Sequence, residues 1–190
     1  MKYDIVLAGV GGQGVLSLAA VIARGAMNAG LHVRQSEVHG MAQRGGAVLS
    51  HMRISDIDIP SDLIPRGAGD MILSMEPLES LRYLEYLAPE GVLVTSGDPV
   101  TNIPSYPDLE GIYERIRDHK RSLIVESGRL AKEAGSSRAV NTVMIGAASK
   151  FLPLGPEELE SAIREMFARK GEEIAEANVR AFRLGREHGG

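Results

Sequence analysis

Leu7-Ala8-Gly9-Val10-Gly11-Gly12-Gln13-Gly14-Val15 is the stretch whose reading decides the fold. An apolar run, Tyr3 to Ala8, leads into it, and a long apolar segment, Val15 to Met27, leads out. Strand, glycine turn and helix in that order open a nucleotide-type α/β fold. The spacing Gly9-x-Gly11-x-x-Gly14 fits the dinucleotide fingerprint. Glycines there let the chain turn tightly and leave backbone N–H groups facing outward at a helix N-terminus, where anions bind. Gln13 adds an amide that both gives and accepts hydrogen bonds beyond the turn. A true NAD site also needs an acidic residue at the end of the second strand. Glu37 lies near that place, but His39, Arg44, Gly45 and Gly46 follow at once, which is not a simple ribose clamp.

Outward from this turn, Val15–Asn28 reads as a helix stopped by Gly30. It is apolar on nearly every side, so it is expected to be covered on more than one side, part of that cover coming from another protein chain. Leu31–Ser36 reads as a second strand, residues 37–46 as a polar connection and Ala47–Ile54 as a strand. A turn at Asp56–Asp58 leads to a short edge segment containing Pro60 and Pro65. Asp70–Met75 and Gly91–Ser96 read as buried strands on either side of a helix, Glu76–Tyr86, with Pro77 in its first turn. A proline-bearing loop, 97–109, precedes a helix at Leu109–Arg117, a short strand at Arg121–Glu126 and a helix at Gly128–Ala134. An apolar helix, Ala139–Phe151, is followed by one opening at Pro156 and one at Glu172–Leu184, with Arg186–Gly190 fraying. This alternation predicts an α/β fold: a Rossmann-like, mostly parallel sheet covered by helices on both faces, with a helical C-terminus. Residues 1–190 are expected to form one domain that includes the C-terminal helices, 156–185.

Composition narrows the chemistry. With 44% hydrophobic and 24% charged residues the chain is of ordinary globular type. A formal net charge of -4 gives no reason to expect nucleic acid as a partner. The chain has no cysteine, which excludes a disulfide framework, a thiolate zinc site and a cysteine-ligated iron–sulfur cluster on it. It also fits a cytoplasmic location. No signal-like segment precedes the turn, and Val15–Met27 is too short to span a membrane and carries Arg24.

Chemistry-bearing side chains gather in a second stretch, Ser36-Glu37-Val38-His39-Gly40-Met41-Ala42-Gln43-Arg44-Gly45-Gly46. It leaves the carboxyl end of a strand, the same sheet edge as the glycine turn. Glu37 can orient His39 or pair with Arg44, and the planar fork of Arg44 suits a phosphate or a carboxylate. Gly45 and Gly46 allow close backbone approach. The plainer reading is a solvated loop with a local Glu–Arg pair. Elsewhere the plain readings lead: His51 is a structural strand histidine, Asn141 and Thr142 cap a helix, and Gly97-Asp98 with Asn102 is a loop rather than a metal–diphosphate motif. No serine–histidine–aspartate or metal-ligand pattern stands out.

Together, the turn Gly9–Gly14 and the run from Ser36 to Gly46 resemble the gamma-type domain of the 2-oxoacid:ferredoxin oxidoreductases, most of all its indolepyruvate branch. The resemblance also includes Glu76-Pro77-Leu78-Glu79, Leu84 and Asn141-Thr142-Val143-Met144-Ile145-Gly146, and it runs nearly end to end. It implies a subunit, inactive alone, of an enzyme that converts an arylpyruvate, coenzyme A and oxidised ferredoxin to an aryl-acetyl-CoA, carbon dioxide and reduced ferredoxin. It implies that thiamine diphosphate, its magnesium and the iron–sulfur clusters belong to a larger alpha subunit, and that ferredoxin is met through the complex. Gly11, Gly12, Gln13, Gly14, Gln43, Arg44, Gly45 and Gly46 are the candidate cofactor-binding positions, Glu37 and His39 the candidate catalytic ones, and no metal ligand is expected on this chain. Two other classes stay open: a mainly structural partner whose loops only dock the large subunit, and a free-standing NAD oxidoreductase. The apolar first helix also allows a homodimer of the isolated chain.

Overall fold

The computed structural model describes residues 1–39 and 45–189, and for Val38 and His39 only the backbone. Six strands form one sheet: β1 (Lys2–Val10), β2 (His32–His39), β3 (Ala47–Ser55), β4 (Gly69–Ser74), β5 (Leu87–Ser96) and β6 (Ser122–Val125). Their spatial order is β2-β3-β1-β4-β5-β6. β1, β4, β5 and β6 run parallel, while β3 lies antiparallel between β1 and β2. The sheet is therefore mixed but mostly one-directional, the α/β class that the alternation of elements predicts.

Both faces are covered, which is why β1, β4 and β5 are apolar without alternation. Ile5, Leu7, Met71, Leu73, Val92 and Val94 point into the larger core cluster. Val6, Ile72 and Leu93 point into the smaller one, on the other face. The larger cluster is closed by α1 (Val15–Asn28), α4 (Ser127–Glu133), α5 (Val140–Ala148), α6 (Pro156–Phe167) and α7 (Glu172–His188). The smaller is closed by α2 (Pro77–Arg82), α3 (Leu109–Arg117) and the segment around Ile64.

Several elements differ from the sequence reading. β2 continues through Glu37, Val38 and His39, so Glu37 and His39 belong to a strand rather than to the connection. Each finds a ladder partner on β3, Ser50 and Val48, and that pairing overrides the polar composition. The expected edge segment at 57–65 is not a strand; instead it straps the sheet face. Ile59 and Ile64 are buried while Ile57 and Leu63 stay exposed. Arg53, paired with the buried Asp4, donates to the carbonyls of Ser61 and Leu63, and the Ile64 N–H donates to His51 Nδ1 (2.9 Å). The expected helix 76–86 divides at Tyr83 into α2 and a 3₁₀ turn, Leu84–Tyr86. α1 keeps its predicted bounds and is covered on more than one side, by the sheet and by α5 and α6, while Leu16 and Met27 on its outer side are exposed.

The C-terminal residues do not fray as expected: α7 runs to His188. It crosses α5 with backbone against backbone. A Cβ on Gly146 would strike the Phe182 carbonyl oxygen, and one on Gly185 the Val143 carbonyl oxygen. Arg186 then donates to Ser149 Oγ (2.7 Å), fixing the last turns of the helix. Because carbonyls of a neighbouring helix cannot step aside, Gly185→Ala is expected to lower the unfolding free energy by about 1–3 kcal/mol in urea titration. An unchanged midpoint would contradict this close crossing.

His51 gives a pH-dependent term. His51 is 5% exposed, its Nδ1 accepts from Ile64, and among the described residues its Nε2 has no polar partner, the ring lying edge-on to Tyr86. Burial pushes its pKa below the usual histidine range, opposed by Asp62, reinforced by Arg53 and opposed by Asp4. A lowered folded-state pKa means that the unfolded chain takes up the proton first. Stability is therefore full above about pH 6.5 and falls as pH drops toward the folded-state value. His51→Gln should flatten this slope in urea titrations between pH 7 and 5; an identical slope in the variant would remove His51 as its source.

Candidate functional site

The site lies where β1 ends and β3 begins. The β1–β3 ladder ends at Val10 opposite Ala47, and two further backbone bonds carry it into the turn. Gly11 N–H donates to the Gly46 carbonyl (2.8 Å), and Gly45 N–H donates to the Gly11 carbonyl (3.2 Å). Thus Gly11, Gly45 and Gly46, predicted as site residues from two separate stretches, meet at one rim of the sheet. The antiparallel course of β3 does this, since it starts at the edge where β1 stops.

Within the turn the glycines have distinct reasons to be glycine. Gly14 has φ +79 as the residue preceding α1, and a Cβ there would lie 2.5 Å from Asn141 Nδ2. Gly12 has φ +103 and is exposed, with open space beside it. Gln13 both accepts and donates, as the sequence reading expects, and the partner beyond the turn is the fold itself. Its Oε1 accepts from the Val10 N–H (2.8 Å), and its Nε2 donates to the Met75 carbonyl (2.9 Å), tying the turn to the end of β4. Asn141 does not cap its own helix; its Nδ2 donates to the Gly14 carbonyl (2.9 Å), and Thr142 donates to the Asn178 side chain. Gln13 N–H is spent on the Val10 carbonyl. Among the described residues no backbone acceptor takes the amides of Gly12 and Gly14, whereas those of Gly11 and Gln13 are used within the fold.

Glu37 sits lower and farther out. On β2 it faces Ser50, which faces Leu7 of β1, three ladder steps below Val10. Its carboxylate accepts from Gln35 Nε2 (2.9 Å). The backbone of His39 is opposite Val48, itself opposite Gly9, which brings the end of β2 to the level of the turn. Gln43 and Arg44 lie outside the described residues. In a dinucleotide fold the second strand adjoins the first, so that its acidic end reaches the ribose. Here β3 intervenes, and Glu37 is two strands from the turn. The fingerprint spacing is present without the geometry that would make Glu37 a ribose clamp.

A narrow cleft of about 190 Å³ opens beside Gly45, Gly46 and Val10, lined by Leu78, Ile103 and Tyr106 with Glu76 and Arg82. Glu76, at the end of β4, escaped the sequence reading as a site residue although it is 1% exposed. Its Oε2 accepts from the Glu79 N–H (2.8 Å), capping α2, and its Oε1 accepts from Tyr106 Oη (2.5 Å) and the Val100 N–H (3.3 Å). Burial, followed by this bond to Glu76, raises the Tyr106 pKa and keeps the phenol protonated. The only local signal was Pro77 after a strand, which marks a helix start and its capping residue. Asn102 Nδ2 donates to the Gly45 carbonyl (2.6 Å), whereas Asp98 is committed to Ser127 Oγ and the Gly128 N–H, so the two residues face different partners. Among the described residues no three His, Asp or Glu side chains gather as a metal-binding group, and no helix is long and apolar enough to cross a membrane.

Removing the Gln13 amide tests the turn. Gln13→Leu leaves the Val10 N–H without its acceptor, and an unsatisfied buried donor costs about 1–3 kcal/mol. The midpoint of urea unfolding should fall accordingly; an unchanged midpoint would free Gln13 from this tie.

Residues 4–188 match the family model described as pyruvate ferredoxin/flavodoxin oxidoreductase. The chain is similar to indolepyruvate oxidoreductase subunit IorB of Archaeoglobus fulgidus, at 38% identity covering 97% of this chain and 94% of the relative. It is likewise similar to the subunit of the same name from Pyrococcus horikoshii, at 37% identity over the same shares. Its fold is similar to that of a keto/oxoacid ferredoxin oxidoreductase gamma subunit from Geobacter sulfurreducens, with TM-score 0.73, 27% identity and 98% of each chain covered.

Proposed function

This chain belongs to the pyruvate ferredoxin/flavodoxin oxidoreductase family, and from that premise we propose that it is the small subunit of an indolepyruvate:ferredoxin oxidoreductase. The complex takes an arylpyruvate and coenzyme A, releases carbon dioxide, forms an aryl-acetyl-CoA and passes two electrons singly to ferredoxin. Carbanion stabilisation and electron transfer are supplied by thiamine diphosphate with magnesium and by iron–sulfur clusters held on a larger alpha subunit. The lack of cysteine here supports that division. The complex works in the cytoplasm.

The observation that carries the reading is the joining of the two glycine stretches at one sheet rim through Gly11. In the proposal this rim faces the active site of the large subunit. The amides of Gly12 and Gly14, with Arg44 and the Gln43 amide, hold an anionic group, either a CoA phosphate or the substrate carboxylate. Gly45 and Gly46 let the backbone approach it, and Gln13 keeps the turn in shape. Glu37 and His39 order this surface or move a proton beside it.

Two measurements test the proposal. Copurification from the native cell should bring a large, brown, cluster-bearing subunit with this chain; recovery of the chain without one would contradict it. In the reconstituted complex, Arg44→Ala should raise KM for coenzyme A or for the 2-oxoacid about tenfold or more, since a charge-assisted bond is worth about 1.5–3 kcal/mol. Unchanged KM for both substrates and unchanged turnover would remove Arg44 from the site. Loss of activity in proportion to lost assembly, in every rim variant, would instead make the chain a structural partner alone.

A further inference from the structure

The loop between β5 and α3 supports the second glycine stretch from outside. Its residues Val100 and Tyr106 both donate to one oxygen of Glu76, so a single buried carboxylate closes a loop of chain upon itself. The other oxygen of Glu76 is fixed on the first turn of α2. Three donors on a buried carboxylate leave it little freedom to turn. Within the closed loop the Asn102 N–H donates to the Val100 carbonyl (2.8 Å), a tight turn. The Asn102 side chain reaches across a separation of 57 residues to the Gly45 carbonyl. Gly45 is then held from both sides, its N–H by Gly11 and its carbonyl by Asn102. It has φ +77, and a Cβ there would lie 3.2 Å from the Asn102 amide, so the contact is backbone to side chain at close range.

We propose that Asn102 is a positioning residue of the enzyme. Anchored through its loop to Glu76 by Tyr106, it fixes the Gly45 carbonyl and with it the rim that Gly45 and Gly46 form with Gly11. It touches no substrate; it acts through Gly45. The inference rests on the proposed reading of the rim as a substrate-facing surface. Asparagine suits the task, because its amide donates without adding charge beside an anion-binding turn. An aspartate in its place has the same shape, has no donor when ionised and repels both the Gly45 carbonyl and an anionic ligand. Tyr106→Phe keeps the ring in the cleft but removes its bond to Glu76, loosening the same brace one step farther back.

The test uses the reconstituted complex with Asn102→Asp, Asn102→Ala, Tyr106→Phe and the double variant Asn102→Ala/Tyr106→Phe. Binding lost equally from ground and transition states appears in KM rather than kcat. Asn102→Ala should raise KM for the rim-bound substrate at least fivefold with kcat within about twofold, and Asn102→Asp should raise it further. Because Tyr106 acts through Asn102, the double variant should be no worse than Asn102→Ala alone. Loss of kcat with KM unchanged, unaltered kinetics in both Asn102 variants, or multiplied effects in the double variant would overturn the assignment. If Arg44→Ala raises KM and the Asn102 variants do not, the positioning role alone fails. If none of these variants moves KM for either substrate, the reading of the rim fails with it.

Discussion

Two backbone hydrogen bonds, Gly11 N–H to the Gly46 carbonyl and Gly45 N–H to the Gly11 carbonyl, are the constraint on which the candidate site depends. They extend the β1–β3 ladder past its last residues and draw a tight turn and a long connection into a single rim. Neither stretch alone is a site. The turn brings Gly11 to the start of α1, and Gly45 and Gly46 of the connection meet it there. An antiparallel strand between β1 and β2 brings them together, and the same strand separates Glu37 from the turn and so removes the arrangement of a dinucleotide fold.

The polar side chains around the rim serve mostly to hold main chain. Gln13 spans Val10 and Met75, Asn141 takes the Gly14 carbonyl, Asn102 takes the Gly45 carbonyl, and Glu76 caps α2 while closing the loop from Val100 to Tyr106. Each satisfies backbone groups at places where strands and helices end and the regular ladder stops. A surface tied in this way to neighbouring elements through its main chain favours preorganisation, and preorganised donors lose little freedom on binding.

Much of the fold was legible because burial writes itself into composition. The unbroken apolar runs of β1, β4 and β5 and the bounds of α1 follow from two-sided cover and from glycines at both ends of the helix. What was not legible depends on partners distant in sequence. Glu37 and His39 read as loop because an edge strand has polar residues, and only pairing with β3 makes it a strand. The last residues of α7 read as frayed because Arg186 is polar, yet Ser149 receives it. The direction of β3 follows from the length of its connection, not from its own residues. Of the site, the glycines and their shared rim could be anticipated. Glu76, Asn102 and Tyr106 could not, since each is defined by a contact across tens of residues.

We propose that this rim is the face turned toward a larger redox subunit, and amide hydrogen exchange on the chain alone and in the copurified complex separates this from the alternatives. Exchange should slow on assembly at residues 11–14, at Gly45 and Gly46, and in the loop around Asn102. Unchanged exchange at all of these positions, with new protection confined to the opposite sheet edge near Met1 and Ile57, would contradict it.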